Sequence, residues 1–260
     1  MSSTQSLSHD LILAIAAATK AASLVQQSDR SKIEINYKED NSLVTAMDKR
    51  AEQCIIDDLH IHSPHAILSE ESGLIDGKSN ATWIIDPIDG TSNFARDLPW
   101  HSVSIALQEG DRIQLGVIYN IAEQTLLYAE QGKGAFCNHF PIHVSDIGTP
   151  SRAVLCIEHG RSEQALSGIL AVQKALNPDF DLRLTGSTAY EMTLVAQGKA
   201  DAFISCGDKI WDFAAGICLI QEAGGIVSDW QGNPWQPDCT HLLASNAALH
   251  PILIQQFRTL

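Results

Sequence analysis

The stretch WIIDPIDGTSNF, Trp83 to Phe94, decides how this chain is read. Trp83, Ile84 and Ile85 are bulky enough to bury as a strand, so Asp86 emerges at the strand end, where open α/β sheets place their ligands. Pro87 forbids a helix through Asp86 and fixes its own φ, while Gly90 permits an unusual one. A sharp turn is therefore expected, bringing Asp89 back alongside Asp86 so that two carboxylates face one small volume. Past the turn, the N–H groups of Gly90, Thr91 and Ser92 can open a short helix whose positive end suits a phosphate group. An ordinary acidic turn with an Asp or Thr cap reads the same residues without any chemistry, so the rest of the chain has to choose.

Composition narrows the field. With 260 residues at 45% hydrophobic, the chain can bury a sizeable core. A formal net charge of -14 argues against a broad nucleic-acid-binding face, which would show a basic stripe. Any anion must be bound locally. The six cysteines, Cys54, Cys137, Cys156, Cys206, Cys218 and Cys239, form no C-x-x-C pair and suit reduced, buried thiols in a cytoplasm. The apolar run Leu11 to Ala18 follows Asp10, has no Lys or Arg before Lys20 and is too short to span a membrane. Leu7, Leu11, Ala14, Ala18, Ala22 and Val25 recur at helical spacing and predict an amphipathic first helix.

Two further acids sit at predicted helix starts. Thr45 and Asp48 open LVTAMDKRAEQCIIDDL, where T-x-x-D before an apolar run reads as a capping box. Asp212 opens WDFAAGICLIQEAGG, a run of small and apolar residues ending at Gly224 or Gly225, and reads as a helix cap. Between them, HSVSIALQEGDRIQLGVIYN and TLLYAEQGKGAFCN predict antiparallel strands turning at Glu109-Gly110-Asp111, near Ala122-Glu123, and at Gly132 and Gly134. After about residue 150 the pattern becomes strand, helix, strand, helix: VLCI, Ser162 to Leu176, a helix led by Gly186-Ser187-Thr188-Ala189, and DAFIS.

Four blocks, LVTAMD at 43–48, LSEESG at 68–73, WIIDPIDGTSNF at 83–94 and WDFAAGICLIQEAGG at 211–225, resemble the inositol monophosphatase family in order and spacing, with GSTA at 186–189 as a weaker fifth. The resemblance covers nearly the whole chain from about Lys38. It implies a lithium-sensitive, Mg²⁺-dependent phosphatase with an α/β, layered α-β-α-β-α sandwich fold. Residues 1–150 form an N-terminal portion carrying most metal ligands, and residues 151–260 a C-terminal portion supplying Asp212 and substrate contacts. The two make one compact unit, with the site where they meet. Residues 28–42 correspond to an active-site flap, and a homodimer is expected.

The resemblance also implies roles. Glu70, Asp86, Asp89 and Asp212 make the metal site. Two charges about 4 Å apart repel by about 4 kcal/mol at an effective dielectric near 20, so four gathered carboxylates require cations. Two Mg²⁺ ions balance them, a third can accompany the phosphate, and hard oxygen ligands favour Mg²⁺ over Zn²⁺. Glu70, Asp86 and the Ile88 carbonyl hold the first ion; Asp86, Asp89 and Asp212 hold the second. Gly90 and Thr91 N–H groups bind phosphoryl oxygens beside Asp89, and Thr91, oriented by Asp48, positions the attacking water. Asp48, Glu70 and Thr91 are thus the catalytic group.

Substrate contacts fall to Gly186, Ser187, Thr188, Ser205 and Asp212. Ser205 stands where many relatives carry a glutamate that contacts substrate hydroxyls, which opens the site to sugar phosphates or an amino alcohol phosphate besides inositol 1-phosphate. Ser92-Asn93-Phe94 resembles the inositol-type T-N-F more than the T-K-E-F of nucleotide-bisphosphate phosphatases. Some bacterial relatives bind the transcription machinery, a surface to which Arg161 and Arg183 can contribute. His60, His62 and His65, with Pro64 between them, read as a polar connector, and His101 as a strand-start residue near the site.

Overall fold

The computed structural model describes residues 7–29, 35–37, 43–176 and 179–258. Most of the segment expected to form a flap, residues 30–34 and 38–42, lies outside the described residues. The N-terminal elements are α1 (His9–Gln26), β1 (Ile35–Tyr37), β2 (Leu43–Thr45), α2 (Ala46–His62), β3 (Ala66–Ser69), β4 (Gly73–Ile75), β5 (Ala81–Asp89) and α3 (Thr91–Ala95). The meander follows as β6 (Ser102–Glu109), β7 (Arg112–Asn120), β8 (Thr125–Glu130), β9 (Ala135–Cys137) and β10 (Phe140–Ile142). Then come β11 (Val154–His159), α4 (Glu163–Leu176), β12 (Asp181–Arg183), α5 (Thr188–Ala196), β13 (Ala202–Cys206), α6 (Ile210–Glu222), β14 (Ile226–Ser228), β15 (His241–Ser245) and α7 (His250–Phe257).

An eight-stranded sheet runs β10-β9-β8-β7-β6-β5-β3-β4 and a five-stranded sheet runs β12-β11-β13-β15-β14, with β1 and β2 forming an antiparallel pair. Strand alternation sorts side chains between layers. Trp83 and Ile85 of β5 pack with α1 and α2, whereas Ile84 faces α5 and α6. On β13, Phe203 faces α5 and α6, while Ala202 and Ile204 face α4 and α7. The result is α1/α2, sheet, α5/α6, sheet, α4/α7: the five-layer sandwich that the resemblance implies.

Helix α1 buries Leu11, Ala14, Ala17, Ala18, Ala21, Ala22 and Val25, a stripe mostly of alanine that lets it lie close against α2 and the sheet, while Leu7 stays outside the stripe and exposed. Helix α6 approaches the eight-stranded sheet more closely still. A Cβ on Gly116 of β7 would stand 2.3 Å from the Ala215 carbonyl, and one on Gly216 would strike Met192 of α5. Glycine at both positions lets backbone and side chain meet where larger residues would force α6 away.

The meander turns fall where the glycines stand, with Gly110 at φ +61°. Pro87 behaves differently from expectation. The chain does not turn after Asp86; β5 continues through Pro87 and Ile88 to Asp89, with a break in its register against β6 between Asp86 and Asp89. A bulge accommodates the proline, which cannot donate to the ladder, and the sharp turn comes at Gly90, φ +82°.

Candidate active site

Parallel strands deliver the acids. β3 and β5 are parallel neighbours with Ser69 opposite Ile85, and the Glu70 N–H donates to the Ile85 carbonyl at 3.2 Å, so Glu70 and Asp86 leave adjacent strands side by side. A single cavity of about 970 Å³ is lined by Glu70, Asp86, Ile88, Asp89, Gly90, Thr91 and Asp212, together with residues of the five-stranded sheet.

Asp86, Asp89 and Asp212 each present an oxygen within 4.8 Å of the others, while Glu70 lines the cavity outside this trio. Each of the three is also held through one oxygen. Asp86 Oδ1 accepts from the Ile88 N–H at 3.0 Å, and Asp212 Oδ2 from the Lys209 N–H at 2.7 Å at the start of α6. Asp89 Oδ2 accepts from the Ser187 hydroxyl and from the Ala189 N–H at 2.9 Å at the start of α5. Burial, then repulsion from Glu70, Asp89 and Asp212, pushes Asp86 well above the usual carboxylate range. Burial lifts Asp89 to about 7 against the bonds from Ser187 and Ala189, which favour its charged form. Burial and the charges of Asp208 and Asp89 also raise Asp212 well above the usual carboxylate range. Three hard-oxygen donors that resist ionising together fit a hard cation.

The Asp-Gly-Thr turn is built tightly. A Cβ on Gly90 would lie 2.6 Å from the Trp100 carbonyl, so only glycine serves both the positive φ and the close approach. Gly90 caps α3, placing Gly90, Thr91 and Ser92 on the cavity wall at a helix start. The Thr91 hydroxyl reaches Asp48 Oδ1 at 2.9 Å and the Ile88 carbonyl at 3.0 Å. The capping box is equally real: Asp48 Oδ2 accepts from the Thr45 N–H at 2.8 Å and the Thr45 hydroxyl at 2.6 Å. Asp48 therefore caps α2 with one oxygen and reaches Thr91 with the other.

A model of the inositol monophosphatase family matches residues 6–260. The chain belongs to that family. It is 38% identical over 228 residues, 85% of each chain, to Nus factor SuhB of Escherichia coli K12. It is 34% identical over 243 residues to human inositol monophosphatase 1, covering 90% of this chain and 88% of that one. The extragenic suppressor protein suhB of Bartonella henselae superposes with a TM-score of 0.91 at 30% identity, over 96% of this chain and 99% of that one. Membership makes this a chain of the metal-dependent phosphatase type, in keeping with its acidic cluster.

Within this inositol monophosphatase fold, Gly186 and Thr188 line the cavity, but Ser187 and Ser205 do not. Both are buried: Ser187 spends its hydroxyl on Asp89, and Ser205 points from the inner face of β13 toward Asp208, to which it is hydrogen bonded. Expected as substrate contacts, they instead stand behind the wall. That wall carries two acids outside the expected site set, Glu158 and Asp208. Burial and the neighbouring Asp208 and Asp89 charges lift Glu158 to about 8, and burial lifts Asp208 to about 6. Asn93, part of the Ser92-Asn93-Phe94 signature, has a structural role as well: its amide donates to the Trp100 and Thr185 carbonyls at 2.7 and 2.9 Å, tying the Asp-Gly-Thr turn to the Gly186 turn.

The remaining singled-out residues have local partners. His65 meets Ser79 at 2.6 Å and packs on Trp83, and His60 and His62 are exposed in the last turn of α2. His101 is buried with Nδ1 2.9 Å from the Leu98 carbonyl. All six cysteines are free thiols, and burial raises Cys156 and Cys218 furthest. Among the described residues no helix is long and apolar enough to cross a membrane.

Proposed function

We propose that the protein is a Mg²⁺-dependent phosphatase that hydrolyses a phosphate monoester by in-line attack of water, with inositol 1-phosphate as the leading substrate. The observation that carries this reading is the trio Asp86, Asp89 and Asp212 sharing one cavity with the helix start at Gly90 and Thr91. Glu70, Asp86, the Ile88 carbonyl, Asp89 and Asp212 would hold two or three ions. Bound Mg²⁺ supplies Lewis acidity, acidifying water and neutralising charge on the phosphoryl and leaving oxygens.

The protein's own groups do the rest. The Gly90 and Thr91 N–H groups bind the phosphoryl oxygens. Thr91 has one hydroxyl proton and two acceptors within reach; giving it to Asp48 turns the oxygen lone pairs toward the water, which is thereby oriented for attack. Gly186 and Thr188 contact the leaving group from the far wall. Histidinol phosphate or another sugar phosphate is the alternative within the same chemistry. A homodimer and lithium sensitivity belong to the same reading.

Phosphate release from inositol 1-phosphate, histidinol phosphate, fructose 1,6-bisphosphate and adenosine 3′,5′-bisphosphate, with and without Mg²⁺, tests it. Turnover independent of Mg²⁺ overturns the metal assignment; preference for another ester overturns only the substrate. Asp89→Asn is expected to abolish turnover with the fold intact. The relatives called Nus factors favour a second reading, a role in binding the transcription machinery. Capture of that machinery by Asp89→Asn, alongside loss of hydrolysis, would show two independent roles.

A further inference from the structure

The cavity wall supplied by the five-stranded sheet is built as carefully as the trio. β11 and β13 are parallel, with Glu158 opposite Ser205 and His159 opposite Cys206, so two chain segments leave the sheet together at their C-terminal ends. The Gly160 N–H donates to the Cys206 carbonyl at 2.8 Å, and a Cβ on Gly160 would lie 2.1 Å from the Gly207 carbonyl. Only a glycine lets these loops touch. Gly207, φ +81°, then turns the chain and delivers Asp208 to the cavity.

Asp208 is fixed from two sides. Thr188, at the start of α5, donates to Asp208 Oδ2 at 3.2 Å, and Ser205 beneath it bonds the same carboxylate. Beside it, Glu158 Oε1 accepts the Gly186 N–H at 2.5 Å. Glu158 is buried and Asp208 half-buried, whereas Arg161 and Lys209 stand exposed at the rim of the same cavity. The wall therefore offers carboxyl oxygens, with half-buried His159 beside Asp208 and the Arg and Lys side chains exposed. An ionised carboxylate offers about four acceptor positions, and two hydroxyls do not exhaust them.

We propose that Asp208 is a specificity-determining residue that accepts hydrogen bonds from the leaving alcohol, so that preferred esters carry a hydroxyl or ammonium donor near the ester oxygen. This rests on the phosphatase reading above and adds a residue to it. Ser205 and Thr188 act as positioning residues that hold Asp208, which explains a buried serine on the strand beneath the cavity.

The test compares kcat/KM, with Mg²⁺, for three esters: inositol 1-phosphate (hydroxyl donors), 2-aminoethyl phosphate (an ammonium) and n-propyl phosphate (neither). In Asp208→Ala the preference for both donor-bearing esters over the propyl ester is expected to fall at least about tenfold, or about 1.4 kcal/mol, the scale of a hydrogen bond to a charged group. Asp208→Asn keeps one acceptor oxygen and loses the charge, so it should lose preference for the ammonium ester more than for the polyol ester. Thermal melting follows both variants, and the near-isosteric Asn variant carries the comparison if Ala melts early. Unchanged preferences, or equal loss on all three esters, would show that Asp208 only holds its loop and overturn the inference while leaving the phosphatase reading intact. No Mg²⁺-dependent release from any ester by the unaltered protein overturns both.

Discussion

Asp48 and Glu52 stand one helical turn apart on the buried face of α2 and hold two different strand ends of the site. Asp48 reaches Thr91 after β5 at 2.9 Å. Glu52 Oε1 accepts the N–H groups of Glu71 and Ser72, after β3, at 3.1 and 3.0 Å, and Oε2 accepts the Ser72 hydroxyl at 2.6 Å. One helix thus sets both the Thr91 hydroxyl and the turn that carries Glu70.

If Asp48 acts through Thr91, the two behave as a unit. Asp48→Asn and Thr91→Ala are each expected to lower kcat by about 10²- to 10³-fold, and the double variant by little more than either alone. Single-turnover rates across the double-mutant cycle check this; multiplicative losses would show that the residues act separately.

Glu52 touches no substrate, so its loss should appear as a metal defect. Glu52→Ala is expected to raise the Mg²⁺ concentration for half-maximal activity by about 10- to 100-fold, with much of kcat recovered at high Mg²⁺. Glu52→Gln should be milder, because its amide N–H can donate to the Ser72 hydroxyl while its oxygen still accepts from the backbone. Titrating activity against Mg²⁺ separates the two.

Metal removal should invert the usual pH dependence of stability. A carboxyl whose pKa is higher in the folded than the unfolded state binds its proton more tightly when folded, so stability falls as pH rises through that interval. For Asp89, between the unfolded value of 3.8 and about 7, this amounts to roughly 4 kcal/mol, with Asp86 and Asp212 acting in the same direction. In EDTA, Tm is expected to drop between about pH 5 and 8, and Mg²⁺ to restore more of it at pH 8 than at pH 5. Asp86→Asn should flatten the slope, since an amide cannot ionise and can donate to the neighbouring carboxylates. A Tm in EDTA that rises over this interval would refute the account.

Much of this architecture is legible locally. The α1 stripe and the β6–β8 meander are periodic over short spans, and glycines mark their turns. The bulge at Pro87 is not legible, because a proline after an aspartate reads equally as a turn, and only pairing with β6 keeps the strand going. Asp208 in Gly-Asp-Lys reads as a solvated turn until Gly160 and Gly207 bring two loops together. Glu158 did carry a signal. It shares the inner face of β11 with Val154 and Cys156, a position alternation assigns to the core, and a carboxylate there needs a cavity to face. The same alternation on β13 buries Ser205 beside Phe203.

The close seat of α6 gives a packing test remote from the chemistry. Gly116→Ala sets a methyl against the Ala215 carbonyl, 2.3 Å away, and must lift α6 or bend β7. Overpacking of this kind costs about 1–3 kcal/mol. Because α6 also carries Asp212, the expected result is a lower Tm together with weaker Mg²⁺ activation; calorimetry paired with Mg²⁺ titration reads both.

Three helices begin on the cavity: α3 at Thr91, α5 at Thr188 and α6 beside Asp212. Each turns its N-terminal, positive end toward the cavity, and at α5 the Ala189 N–H already spends that polarity on Asp89. That potential resides in the main chain, where neither protonation, chelation nor side-chain replacement can erase it. Stripped of its carboxylates, the same hollow would become a receptor for anions, so the acids determine whether this scaffold recruits cations or simply sequesters oxyanions.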